Sequence, residues 1–487
     1  MKKISILLFP LFMVLAAAAQ TKPPAPAASG HAISITLTPY KNCEIYLGSY
    51  FGKGKILSDS AHLNEKSQGV FRGKTKLPGG IYFVVSPQLT IQFDVLIGKD
   101  QQFSIVGDSS HKESAAITGS PDNDLFRQYS AGSAQRGKHL QDLMTQLPAA
   151  KDAADSARVR ASIKEASKDL DTYRAGIIRS HPGTLLAALL NAMKHPETPA
   201  IPVVNGKPDS TYPFRYVKEH YWDDVAFNDD RLLHTPFFEA KLDEYFKYYV
   251  SPDADSIIPE MKYILLSART GKEMYPYLLT KFTNKYMNPE YMGQDKAFLY
   301  LFENFYTKGD TTFLNAASRK TIFDRAYSMM ANQIGNPAPA LDLSDTSGKT
   351  VSLYSLNAPY TLVVFWDPTC GHCKEEIPRV DSIYRAKWKA MGMKLYSVNV
   401  KDGTGDELKK FAKEKNLSPD WIYTSQPKAA FDAEQAAGKA NFRQLYDVFK
   451  TPTLYLLDDK KHIIAKQLTE LQFDDVMTAR SKKQPAK

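Results

Sequence analysis

The sequence predicts a multidomain chain: an N-terminal antiparallel β-sandwich, an all-α middle domain and a C-terminal α/β domain. Three observations carry that reading. The chain has 487 residues, 43% hydrophobic and 24% charged, room for about three domains at roughly 100–200 residues each. Apolar residues recur with a period of two up to about residue 120, then with helical spacing to about 332. From 333 onward, short apolar runs alternate with helical stretches. Against 53 Asp and Glu stand 62 Lys and Arg, a net charge of +9. That is mild for this length and not gathered in a stripe, so nothing argues for a nucleic-acid partner.

Residues 1–19 read as a signal peptide. Lys2 and Lys3 form a positive start, Ile4 to Leu15 an apolar run, and Ala17-Ala18-Ala19 before Gln20 a cleavage site. The run is short for a membrane span of roughly 20 residues. Cleavage is therefore expected, giving an exported protein of the periplasm or cell envelope with no stable membrane insertion. Loss of Lys2 and Lys3 lowers the net charge to +7. Residues 20–30 (QTKPPAPAASG) are a linker with too little apolar surface to fold.

The β-sandwich is assigned to 31–120. Ile33, Ile35 and Leu37 alternate with polar residues, as do Cys43, Ile45 and Leu47. Leu89, Ile91, Phe93, Val95 and Ile97 keep the same period. Pro78-Gly79-Gly80 marks a turn. The helical domain is assigned to 121–332. Val159, Ile163, Ala166, Leu170, Tyr173 and Ile177 form one helical seam, read as packing within a bundle. Phe238, Leu242, Tyr245, Phe246 and Tyr249 repeat the spacing, as do Phe298, Leu301, Phe302 and Phe305. The aromatic density between Tyr212 and Tyr249 fits an aromatic core or a groove for peptides or glycans. His220 and His234 lack ligand spacing.

In residues 333–487, Thr361 to Trp366 (TLVVFW) is a buried central strand. A helix follows from Cys370, then the strand Leu395 to Val400, a helix over Asp406 to Lys415, and the strand Thr453 to Leu457. A turn at 458–461 leads to an antiparallel return over His462 to Lys466. This is a βαβ unit followed by a ββ unit.

The chain has three cysteines, Cys43, Cys370 and Cys373, too few for a disulfide framework in an exported protein of this size. Cys43 reads as a small buried apolar residue. Cys370-Gly371-His372-Cys373 stands where a strand passes into a helix. Unpaired N–H groups and the helix dipole at that start favour a thiolate. Cys370 is then the attacking sulfur and Cys373, nearly one turn on, resolves the mixed disulfide. His372 places a second donor near Cys370. The pair could also be half of a zinc site or a structural bridge. No second ligand pair stands nearby, and so short a loop would constrain little chain. No metal and no cofactor are expected.

Residues 335–480 resemble the thioredoxin fold, nearest the TlpA/ResA-like exported thiol–disulfide oxidoreductases. The resemblance rests on Phe365-Trp366 before the pair, Pro378 five residues after Cys373, and Thr451-Pro452 before TLYLL. It implies a cis Thr451–Pro452 bond beside the cysteines, offering backbone to a substrate peptide, and Trp366 shaping a hydrophobic rim. Pro337 to Leu353 resembles the family's added N-terminal hairpin. Val364 stands where thioredoxin carries a buried Asp. ResA-like members use a Glu three residues after the second cysteine, where Glu376 falls. It reads either as a proton carrier or as a solvated helix residue. The Gly371-His372 spacer matches the protein disulfide isomerase pattern, which by analogy points toward about −180 mV rather than about −270 mV.

The layout of the whole chain resembles multidomain secreted Bacteroidetes proteins. The implied activity is reduction of disulfides in envelope proteins or peptides, with an envelope thiol–disulfide electron donor restoring the dithiol. Isomerase or oxidase action is the alternative, as is a ligand-binding envelope protein whose C-terminal module is secondary. A peroxidase is set aside, because Asp367 stands where its Thr would be.

Overall fold

The computed structural model describes residues 30–483. The signal peptide and nearly all of the linker expected before it lie outside the described residues. Strands β1 (His31–Thr38), β2 (Cys43–Phe51), β3 (Gly54–Leu63), β4 (Gln68–Gly73), β5 (Gly80–Val85), β6 (Ile91–Ile97), β7 (Gln102–Asp108) and β8 (His111–Thr118) form two four-stranded sheets. Their orders are β4-β1-β7-β8 and β3-β2-β5-β6. Alternate residues of both sheets, among them Ile33, Ile35, Ile45, Leu47, Val84 and Val95, share one core. The expected antiparallel pairing fails in one place: β1 and β7 run parallel, Ile33 opposite Phe103. The order of strands in a sheet is a tertiary property that periodicity does not carry.

The chain divides into two compact units at 189/190. Helices α1 (Pro121–Gln146) and α2 (Ala153–Ser180) therefore go with the sandwich. Asn123 ties α1 to β6 through both backbone groups of Leu96, at 2.9 and 2.8 Å. The seam of α2 lies along α1 rather than inside a bundle. Tyr129 and Tyr173 stack at 6.0 Å, and of the six seam residues only Val159 and Ala166 are buried. Helix α3 (Leu185–Ala192) crosses the division.

The second unit opens with a small departure from the all-helical expectation, a hairpin of β9 (Val203–Val204) and β10 (Lys207–Pro208). Helices α4 (Tyr212–His220), α5 (Phe238–Tyr248), α6 (Ala254–Ser267), α7 (Met274–Met287), α8 (Asp295–Asn304) and α9 (Ala316–Met330) follow. Much of the aromatic stretch is core: Tyr221, Trp222, Phe227, Phe238 and Tyr245 are buried and pack ring against ring, while Phe214, Phe237 and Tyr248 are exposed. His234 is buried against Glu273 at 2.5 Å, and His220 meets Asp223 at 2.7 Å.

A seven-stranded sheet completes the unit. Its strands are β11 (Asp342–Asp345), β12 (Thr350–Ser352), β13 (Tyr360–Trp366), β14 (Met393–Asn399), β15 (Trp421–Ser425), β16 (Thr453–Leu457) and β17 (Ile463–Lys466), ordered β12-β11-β15-β14-β13-β16-β17. The helices are α10 (Gly371–Ile383), α11 (Gly405–Glu414), α12 (Lys428–Ala436), α13 (Phe442–Leu445) and α14 (Glu470–Lys483). Strands β13, β14 and β15 are parallel; β16 and β17 run antiparallel. The sequence reading passed over β15, whose run WIYTS buries only Trp421 and Thr424 fully. Both faces of the sheet are covered. Leu362, Val364 and Trp366 face α10, α11 and α14, while Val363 and Phe365 face α13 and the 446–448 loop. That is why β13 reads as an unbroken apolar run.

Two connections bind this sheet to what precedes it. Lys466 Nζ is buried against Asp295 of α8 at 2.6 Å and also donates to the Asn332 carbonyl and Oδ1. Residues 335–338 run beside β17: Gly335 N–H donates to Ile463 at 2.8 Å, and Ile463 N–H donates to Asn336 at 2.9 Å.

Candidate active site

Strand β13 delivers the chain to a tight turn at its C-terminal end. The Asp367 carboxylate accepts from the backbone N–H and hydroxyl of Thr369, both at 2.7 Å, and the Asp367 carbonyl accepts from Cys370 N–H at 3.1 Å. Cys370 is the N-cap of α10, with extended backbone (φ −73°, ψ 131°). Its sulfur faces the first-turn donors that a helix leaves unpaired. Cys373, one turn on, points into the core and is fully buried. Both are free thiols.

The two sulfurs titrate far apart. The Thr451 hydroxyl, the backbone N–H of Cys373, the Cys373 side chain and the backbone N–H of His372 hold Cys370 down at about 7. As a thiol, Cys370 donates weakly to the Thr451 carbonyl at 3.7 Å; ionisation releases that carbonyl. Burial pushes Cys373 up to about 12. One sulfur is thus a ready nucleophile near neutral pH, and its neighbour keeps its proton until a base removes it.

The Thr451–Pro452 bond is cis. Glu376 is half-buried, one turn beyond Cys373. Burial, then the charge of Glu470, raises its carboxyl, opposed by His372, Arg379 and Lys450.

Two expectations need correction. Trp366 does not form a rim. It is 0% exposed, donates to Ser397 Oγ at 2.7 Å and packs on Phe411. It shares strand parity with Leu362 and Val364 and so faces the core beneath the pair. His372 acts on Cys370 through its backbone N–H, while its side chain is exposed. Gly371 opens α10 with free space beside it: an added Cβ there meets nothing within 4 Å.

A basic cluster at the turn has no counterpart in the sequence pattern. Lys401, just after β14, donates to Thr369 Oγ1 at 2.8 Å and lies 3.9 Å from Asp367. Arg443 of α13 donates to the Val400 carbonyl. The two help line a cleft of about 370 Å³ at the ends of β14 and β15. Only the parallel pairing of β14 beside β13 brings Lys401 to the redox turn.

Residues 334–466 match the AhpC/TSA family model, and residues 160–313 match a domain of unknown function (DUF5106). The chain is 27% identical over 138 residues to the thiol-disulfide oxidoreductase ResA of Bacillus cereus, covering 28% of this chain and 71% of that protein. It is 32% identical over 136 residues to the methylamine utilization protein MauD of Paracoccus versutus, covering 28% of this chain and 59% of that one. Among solved structures, a thioredoxin-like protein from Bacteroides caccae is 23% identical, with a TM-score of 0.46, covering 59% of this chain and 99% of its own.

Proposed function

Residues 334–466 form a thioredoxin-like thiol–disulfide oxidoreductase domain of the AhpC/TSA family, and on that premise we propose that the protein is an exported reductant of disulfides in envelope proteins or peptides. The observation that carries the reading is the geometry of the pair: Cys370 caps α10 with its sulfur 3.7 Å from the Thr451 carbonyl, beside the cis Thr451–Pro452 bond, and Cys373 is buried one turn on. The Cys370 thiolate attacks one sulfur of a substrate disulfide. A Cys370–substrate disulfide forms and the other substrate sulfur leaves as a thiolate. Cys373 then loses its proton, Glu376 acting as acceptor, and attacks Cys370. The second substrate thiolate leaves, and Cys370 and Cys373 remain oxidised. Two electrons pass from the dithiol to the substrate, and an envelope thiol donor returns them.

Thr451 and Pro452 present the substrate backbone to Cys370. Residues 2–19 support the export reading through their charge and apolar pattern, and no helix among the described residues is long and apolar enough to cross a membrane.

The test is a trap. In the full-length protein, Cys373→Ser should accumulate mixed disulfides on Cys370 that dithiothreitol releases. The Cys370→Ser/Cys373→Ser double variant should collect none. The same background from both variants would sink the mechanism.

A further inference from the structure

The loop between α13 and β16 holds a feature that disulfide exchange itself does not need. Phe449 lies two residues before Thr451 and is 73% exposed, more than any other large hydrophobic side chain among the described residues. It is nevertheless held in place. The Arg325 guanidinium of α9 sits 4.3 Å from the ring centroid. The same guanidinium pairs with Asp447, whose side chain is 2% exposed beneath the loop. Phe449 N–H donates to the Asp447 carbonyl at 3.1 Å. Beside the ring opens a groove of about 530 Å³, walled by Tyr327 of α9, Leu445 of α13, Val448 and Phe449. Tyr327 is itself 62% exposed.

We propose that this groove seats an apolar side chain of the polypeptide substrate, about two residues from the cysteine that Cys370 attacks, so that α9 of the helical region forms one wall of the substrate site. This deepens the reading of the protein as a disulfide reductant and rests on it. Continuity argues for that occupant. The Thr451 carbonyl lies 3.7 Å from Cys370 Sγ, and Phe449 is on the same loop. A substrate strand beside this loop advances roughly 3.3 Å per residue. Side chains two residues apart fall on the same side of such a strand, so one reaches the ring while the cysteine meets the sulfur. At about 530 Å³ the groove has room for one large side chain together with its neighbours in the peptide. Fixing the ring in advance through Arg325 lowers the ordering cost of binding.

The experiment uses the full-length protein with Phe449→Ser and, separately, Tyr327→Ser. Both positions are exposed, so neither substitution should disturb folding. Two synthetic disulfide-bridged peptides differ only in Phe or Ser two residues from one cysteine; hydroxyethyl disulfide is the small substrate. The wild type should favour the Phe peptide over the Ser peptide by about tenfold in kcat/KM, chiefly through KM. Each variant should bring that ratio to about one. A wild type without preference, or variants that keep it, would overturn the proposal. A dimer that Phe449→Ser converts to monomer would assign the face to a second copy and also overturn it. Failure to reduce even hydroxyethyl disulfide would instead remove the oxidoreductase reading beneath it.

Discussion

The N-terminal sandwich and the C-terminal sheet each press a half-buried cysteine against an apolar core, in different backbone settings. Cys43 begins β2, opposite Leu63, and packs on the sandwich core. Cys370 is equally half-buried, but it caps α10 and gathers the Thr451 hydroxyl and two backbone N–H groups. Burial is shared; the donors are what differ. A strand spends its N–H groups on the neighbouring strand, whereas a helix start leaves them free for a sulfur. The comparison teaches that, between two cysteines of like depth, thiol chemistry follows from where each sits in its element.

The largest expected effect breaks or upholds that contrast directly. Cys370→Ser should reduce insulin-disulfide turnover to background, while Cys43→Ser should leave it near the wild-type rate. An equal loss from both would show that the helix start is not what matters.

A second effect sharpens the contrast between the units. Lys466→Ala strands Asp295 as a buried unpaired carboxylate and should destabilise the second unit by about 3–5 kcal/mol. In urea unfolding, the transition reported by near-UV signals of the four tryptophans, all of which lie in that unit, should move. Hydrogen exchange at β1 and β5 of the sandwich should not.

The smallest effects concern protons. Cys370 is held below the ordinary thiol value, so its thiolate fraction falls as pH drops through about 7. Iodoacetamide alkylation of Cys370 should therefore rise with a midpoint near pH 7 and level off above it. A midpoint at the free-cysteine value of about 8.5 would remove the helix-start argument. Glu376→Gln should keep that midpoint and lengthen the life of the mixed disulfide several-fold in quenched-flow trapping. An unchanged lifetime would make Glu376 a spectator.

Much of this site was readable in advance because its signals are local. Cys370 and Cys373 sit three residues apart after an apolar strand, and Thr451-Pro452 directly precedes another. Misreadings arose where depth or pairing is set by distant chain. An aromatic beside a redox pair looks like a rim, yet the parity of Trp366 with Val364 puts it in the core. The parallel β1/β7 pair joins residues about 70 apart. Lys401 meets Thr369 only because β14 lies next to β13. The division at 189/190 reflects α1 and α2 attaching to the sandwich, and the helical period, which runs on past residue 190, carries no sign of it.

The stitching of residues 335–338 along β17 has a consequence for solubility. β17 is the last strand of its sheet, and its outer amides would otherwise be open to any extended chain. Pro337, bridged to His462 between the hydrogen bonds of Asn336 and Ala338, has no N–H to offer a further strand. A fragment starting beyond Ala338 would bare this border, and its copies could add to one another strand by strand toward aggregates. The short covering segment thus guards the redox sheet against self-association.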